Sequence, residues 1–219
     1  MTDRPTIIIA DDHPLFRGAL RQALAALEAD PVIVEAGDFQ AARDAAKAKP
    51  DAELMLLDLT MPGVSGLSGL MALRAEYLNL PVVVVSASDD ACTVRRALEL
   101  GASGFISKSA SIEEIRQGVT AVLQGEIWTP SNIDLGTEQD PEVADLIRRI
   151  QTLTPQQSRV LNMLAEGLLN KQIAYELGVS EATIKAHVSA VLQKLGVDSR
   201  TQAVIRLSRI GTGVLPQGD

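Results

Sequence analysis

Between residues 6 and 124 the hydrophobic positions switch repeatedly between two periods. Short continuous aliphatic runs, such as Thr6-Ile-Ile-Ile-Ala10 and Pro81-Val-Val-Val-Val85, predict strands over 6–10, 32–36, 53–58, 82–86 and 104–106. Runs that are apolar on both sides belong to parallel sheets covered by helices on each face. Amphipathic stretches lie between them. In the first, Leu15, Ala19, Ala23 and Leu27 recur every four residues; in the last, Ile112, Ile115, Val119 and Val122 follow a 3-4-3 spacing. Pro14 suits a first helical turn, and Asp38 and Ser111 are expected N-caps. Five strand–helix units of this length predict an α/β fold, a doubly wound five-stranded parallel sheet in one domain.

The alternation then stops. Thr129 to Gly136 is polar and turn-forming, and 138–151 has room for one short helix. Residues 155–211 carry four short helical segments that break near Gly167, Gly178 and Gly196, with no strand pattern. The expected organisation is an α/β domain over 1–125, a linker over 126–150 and a small all-α domain over 151–219.

Composition narrows the setting. The hydrophobic fraction of 46% supports real cores, while the longest apolar runs are strand-sized, so no membrane span is expected. Met1-Thr-Asp-Arg-Pro5 leads straight into the first strand and leaves no room for a signal peptide. Cys92 is the only cysteine, which excludes an internal disulfide and fits a reducing cytoplasm. The net charge of −8 is uneven: residues 1–128 hold 11 basic and 18 acidic side chains, residues 150–219 hold 7 and 5. An acidic front half and a mildly basic back half point to different partners.

The chemistry gathers at strand ends. Asp11 and Asp12 follow the first strand, Asp58 closes the third, Ser86 ends the fourth and Lys108 follows the fifth. In such a fold the carboxyl ends of the strands converge on one edge, where ligands bind. Three carboxylates gathered there repel one another and need a compensating cation. A hard divalent ion such as Mg2+, shared with a phosphoryl oxygen, meets that need. Lys108 adds a second positive charge, and Ala87, small and next to Ser86, leaves the pocket open to a donor.

With Pro62 four residues after Asp58 and Phe105 three residues before Lys108, this set resembles the receiver domains of two-component response regulators over residues 5–125. The resemblance implies a flavodoxin-like fold with Asp58 as phosphoacceptor for a sensor histidine kinase. It implies Mg2+ positioned by Asp11, Asp12, the Asp58 carboxylate and the backbone carbonyl of Thr60. Lys108 would pair with a phosphoryl oxygen, Ser86 would hydrogen-bond the aspartyl phosphate, and Phe105 would turn inward behind it as a switch. Such a protein is a phosphoacceptor with at most slow self-dephosphorylation rather than an enzyme. Receivers usually carry Pro after this Lys; Ser109 stands here.

In the second domain, Asn170–Gly178 reads as a short helix ended by glycine, followed across a tight turn by a helix that Ser180 caps. In that second helix Ile184, Val188, Val191 and Leu195 repeat at 4-3-4 and face a core. At 100° per residue the opposite face carries Ala182, Ala186, Ser189 and Gln193, flanked by Lys185. That face is small and polar enough to enter a DNA major groove. The expected contacts to double-stranded DNA are Lys185, Thr183, Ala186, Ser189, His187 and Lys171. With Leu153-Thr-Pro155 upstream and Leu195-Gly-Val-Asp-Ser-Arg-Thr201 downstream, these residues resemble a LuxR-type helix-turn-helix domain. Gln157 replaces that family's usual acidic residue. Receiver plus this module is the layout of NarL/FixJ-type transcription regulators. A module of such low charge makes few phosphate contacts, so a homodimer that binds paired half-sites is expected when the protein is phosphorylated. Ala203, Val204 and Leu207 in the last helix supply a candidate dimer stripe.

Other readings stay open at this level. The helical bundle of a degenerate receiver would bind protein. A strand-end Asp nucleophile also serves haloacid-dehalogenase-like phosphatases, although their second Asp is replaced here by Thr60. A flavodoxin-like nucleotide binder would need a first loop rich in Gly, Ser or Thr, whereas this one reads Asp-Asp-His-Pro. Neither His13 nor His187 has sequence partners that suggest a metal site or catalytic dyad.

Overall fold

The computed structural model describes residues 4–27, 30–64, 66–131, 133 and 141–211, the side chains of 208–211 excepted. The chain forms two compact units, Met1–Gly136 and Thr137–Asp219.

In the first unit β1 (Thr6–Ala10), α1 (Pro14–Ala25), β2 (Val32–Ala36), α2 (Phe39–Ala48), β3 (Leu54–Asp58), α3 (Ser68–Glu76), β4 (Val82–Ser86), α4 (Ala91–Glu99), β5 (Gly104–Ser107) and α5 (Ile112–Leu123) alternate along the chain. The strands form one parallel sheet in the order β2-β1-β3-β4-β5, a doubly wound topology. The aliphatic runs sit where buried parallel strands should. Every residue of β3, β4 and β5 is buried, while edge strand β2 is partly exposed. Alternation sends Ile7, Ile9, Leu54, Leu56, Val83, Val85 and Ile106 to one core with α1 and α5. It sends Ile8, Met55, Leu57, Val84 and Phe105 to the other side, where they are equally buried.

The α1 stripe differs from the four-residue repeat. Leu15 is 91% exposed; the core instead takes Leu20, Ala23 and Leu24, with Phe16 and Leu27 packed against it. The reason is angular. A step of four drifts by 40° each time, so Leu15 lies about 80° from Ala23, whereas Phe16, seven residues away, lies within about 20°. Ile112 in α5 is likewise exposed, being in the first turn, while Ile115, Val119 and Val122 are buried. Caps fall on the expected residues: Asp38 accepts from the Ala41 N–H, and Ser111 forms a capping box with Glu114.

Beyond α5 the chain returns to the sheet. Trp128 makes a parallel bridge to Gly104, donating its N–H to Ser103 (3.2 Å) and accepting at its carbonyl from the Phe105 N–H (2.9 Å). Its indole lies over α5 at Gly118, where a Cβ would meet ring atoms at 2.8 Å, so only glycine admits the ring.

The second unit contains α6 (Pro141–Gln151), α7 (Pro155–Ala165), α8 (Asn170–Leu177), α9 (Glu181–Leu195) and α10 (Arg200–Gly211). α6 buries Val143, Leu146, Ile147 and Ile150 and packs against α9 and α10. The stretch expected as a linker therefore carries structure at both ends: Trp128 paired to β5, and α6 within the helical unit. Val160, Leu164, Ile173, Ala174 and Ile184 form the bundle core. Gln157 completes a capping box with Thr154 as the N3 partner, and its side-chain oxygen also accepts from Lys194 Nζ at 2.8 Å. An amide oxygen thus supplies the box contact that an acidic side chain would make.

Candidate functional site

Sheet register builds the first site. Ala10 of β1 pairs with Leu57 of β3, so Asp11 and Asp58 are the next residues on neighbouring strands. Ser86 of β4 pairs with Ser107 of β5, and Lys108 is the next residue beyond. The Lys108 N–H donates to the Ser86 carbonyl at 2.8 Å, which fixes where its side chain starts.

From there Lys108 Nζ reaches both carboxylates, 2.8 Å from Asp58 Oδ2 and 2.8 Å from Asp11 Oδ2. The Asp58 side chain is fully buried, that of Asp11 1% exposed and that of Lys108 14% exposed. Burial lowers the Lys108 pKa, but hydrogen bonds and charge from Asp11 and Asp58 raise it more, leaving it above the ordinary lysine value. Phe16, absent from the sequence reading, puts its ring centroid 5.1 Å from the ammonium, within cation–π range.

The cluster remains short of positive charge. Lys108 is shared between Asp11 and Asp58, and Asp12 adds a third carboxylate to the same cluster, a deficit that a divalent cation matches. Among the described residues Asp12 Oδ1 is buried without a hydrogen bond, 2.7 Å from His13 Nδ1, while the buried Asp11 Oδ2 has Lys108 Nζ as its near partner at 2.8 Å. Hard oxygen donors in surplus suit Mg2+. His13 corrects the expectation drawn for it: its Nδ1 lies 2.7 Å from Asp12 Oδ1, 3.4 Å from Asp11 Oδ1 and 3.8 Å from Asp58 Oδ2. One ligand atom each from Asp11, Asp12, His13 and Asp58 lies within 4.8 Å of the others. Its place directly after the Asp pair was the one available signal.

The remaining predicted residues are placed as follows. Thr60 donates through its N–H and its hydroxyl to Asp58 Oδ1, both at 3.2 Å. Ser86 is buried at the end of β4, and its Oγ accepts from the Ser88 N–H at 3.1 Å. Phe105 is fully buried. Ser109, in place of the usual proline, donates its N–H to Ser107 Oγ at 3.2 Å.

In the second unit α8 ends at Gly178, whose φ of 65° is a left-handed conformation that glycine adopts without strain. Ser180 caps α9 by accepting from the Thr183 N–H at 3.1 Å. Ile184, Val191 and Leu195 are buried, and Val188 packs on the core that holds Ile184. Lys185, Ala186 and Ser189 are exposed, as are Thr183 and, on α8, Lys171; His187 is half-buried. The Thr183 hydroxyl lies 2.8 Å from that of Ser180, and Lys185 pairs with Glu181 at 3.2 Å. Ala203 is buried in the bundle and Val204 and Leu207 half-buried, while Ile205 beside them is 53% exposed.

Known proteins match both halves. Residues 7–120 match the response regulator receiver domain, and residues 151–207 match the bacterial regulatory proteins of the luxR family. The glycerol metabolism activator of Pseudomonas putida is 40% identical over 205 residues, covering 91% of this chain and 93% of that protein. The nitrate/nitrite response regulator protein NarP of Escherichia coli is 35% identical, covering 91% and 92%. Among solved structures, the RcsB response regulator of Salmonella typhimurium aligns with a TM-score of 0.55 at 27% identity, covering 95% of this chain and all of that one. A response regulator RcsB–DNA complex aligns at 0.54 and 27%, covering 94% and 98%. The chain belongs to the NarL-type response regulators, in which a receiver domain is followed by a LuxR-type DNA-binding domain.

Proposed function

We propose that Asp58 accepts a phosphoryl group from a sensor histidine kinase, and that this modification controls the binding of the second unit to double-stranded DNA as a homodimer. The receiving function lies in residues 1–125 and the DNA-reading function in 151–219, with 126–150 between them, and the protein works in the cytoplasm. The observation that carries the reading is the buried Asp58 carboxylate, held 2.8 Å from Lys108 beside two further carboxylates.

In the transfer, an Asp58 oxygen bonds to phosphorus as the phosphorus–nitrogen bond of the kinase phosphohistidine breaks, and the released imidazole keeps the electron pair. A carboxylate nucleophile needs positioning and charge neutralisation more than a base. Strand ends supply the positioning. Lys108, already beside Asp58, pairs with a phosphoryl oxygen. Asp11, Asp12, Asp58 and the Thr60 carbonyl would hold Mg2+, which when bound neutralises phosphoryl charge. The Ser86 hydroxyl hydrogen-bonds the product, and Phe105, buried behind it, is the switch residue.

On the DNA side, Lys185, Thr183, Ala186, Ser189, His187 and Lys171 form the contact set. A module this weakly basic makes few phosphate contacts, so pairing two modules raises affinity through effective concentration. A solved structure of two RcsB dimers bound to DNA, which aligns with this chain at a TM-score of 0.54 and 27% identity, supports the same arrangement.

Intact-mass measurement after incubation with acetyl phosphate tests the acceptor. Wild type should gain one phosphoryl group with Mg2+ only, and Asp58→Asn none; equal gain by the variant would overturn the assignment. Sedimentation and DNA titration with and without beryllofluoride test the switch, which fails if neither mass nor affinity changes.

A further inference from the structure

We propose that His13 is a nitrogen ligand of the acid site, which gives this receiver a marked preference for borderline transition ions such as Co2+ and Ni2+ over Mg2+. The proposal rests on the reading that Asp11, Asp12 and Asp58 hold a divalent cation.

Three observations carry it. The first is distance. Around an octahedral ion with bonds of about 2.1 Å, ligands at right angles stand about 3.0 Å apart and opposite ligands about 4.2 Å. His13 Nδ1 lies 2.7, 3.4 and 3.8 Å from oxygens of Asp12, Asp11 and Asp58, all inside that outer limit.

The second is direction. Asp12 Oδ1 is buried and close to Nδ1, yet no hydrogen bond satisfies it. It therefore lies off the line that a ring N–H would take. Two neighbouring ligands of one ion show this relation, since each lies about 45° off the other's bond to the metal when the bonds meet at right angles.

The third is the backbone. His13 occupies the N-cap of α1 but makes no side-chain capping bond. Asp38, Asp90, Ser111, Thr154 and Ser180 at the corresponding positions of other helices all cap with their side chains. The His13 N–H donates to Asp11 Oδ1 at 2.7 Å, and Pro14 restrains it to its extended conformation, φ −91° and ψ 105°. The main chain is thus tied to the acid pair while the imidazole stays free of helix duties and faces the carboxylates.

Imidazole nitrogen favours the later first-row ions, whereas Mg2+ gains little from it and holds to oxygen and water. Calorimetric titration of the full chain with Mg2+ and with Co2+ separates the two. Wild type should bind Co2+ more tightly, and His13→Asn, which keeps a capable N-cap, should reduce the Co2+-to-Mg2+ affinity ratio by about tenfold or more, the scale of changes close to a metal. In the proton spectrum of the Co2+ complex, a hyperfine-shifted imidazole resonance should appear for wild type and for His187→Asn, and vanish in His13→Asn. An unchanged ratio in His13→Asn, or a resonance that survives it, overturns the proposal. Failure of wild type to bind Mg2+, or undiminished Mg2+ affinity in Asp58→Asn, would instead overturn the acid-site reading beneath it.

Discussion

The two units place their chemistry at opposite extremes of burial. Asp58 has no exposed side-chain surface and Lys108 has 14%, whereas Lys185 on α9 is 65% exposed. In the first unit, charges are held at fixed strand ends away from water, where each interaction is strong and removing one partner leaves another uncompensated. In the second, a helix keeps its core face dry and presents a small polar face, on which each contact is modest and nearly separable from folding. One region is organised for chemistry before its substrate arrives. The other is organised for access.

Lys108→Met tests the buried side most severely. It strands Asp11 and Asp58 without their shared cation, so the first unit should lose about 3–5 kcal/mol in urea unfolding with chelator present. Adding Mg2+ should restore part of that loss; stability equal to wild type in chelator would break the comparison. The lysine also sets a pH limit. Its folded pKa is raised, so its contribution is complete below the ordinary lysine value and is lost only as pH climbs through the raised one. The stability that Lys108 confers should therefore hold across neutral pH and decline only in strong alkali.

Opposite faces of α9 provide the second test. Ile184 is fully buried, and Ile184→Ala should cost the second unit about 3 kcal/mol. Lys185→Ala, one residue on, should change thermal stability by less than about 0.5 kcal/mol while weakening DNA binding by about 1–3 kcal/mol at matched salt. If Lys185→Ala unfolds the unit, or leaves the dissociation constant unchanged, folding and recognition are not divided between the faces as described. The smallest effect belongs to Ser180→Ala, which removes the cap on Thr183 and should cost about 1 kcal/mol. Amide exchange at the start of α9 would show it as local fraying.

The strands were legible in sequence because parallel strands buried on both faces appear as unbroken aliphatic runs. The edge where Asp11, Asp58 and Lys108 meet followed from that, since strand ends in a parallel sheet share one side. The α9 face was legible because its 4-3-4 spacing stays close to the helical period. The α1 face was not: a strict spacing of four drifts off axis, and Phe16 rather than Leu15 turned inward. His13 was missed because the direction of a side chain at a helix N-cap depends on whether it caps, which residue type alone does not decide. Trp128 was missed for another reason. Its pairing with Gly104 is a single bridge with no periodicity around it.

That bridge has a spectroscopic consequence. Trp128 is the chain's only tryptophan, and its indole is packed on Gly118 in the first unit. Indole emission, excited apart from the two tyrosines, therefore originates at one sheet edge, and the helical bundle is dark in that channel. Helical circular dichroism sums both units. A thermal scan followed by intrinsic fluorescence records the melting of the receiver alone, and any gap between it and the dichroism curve belongs to the DNA-binding unit.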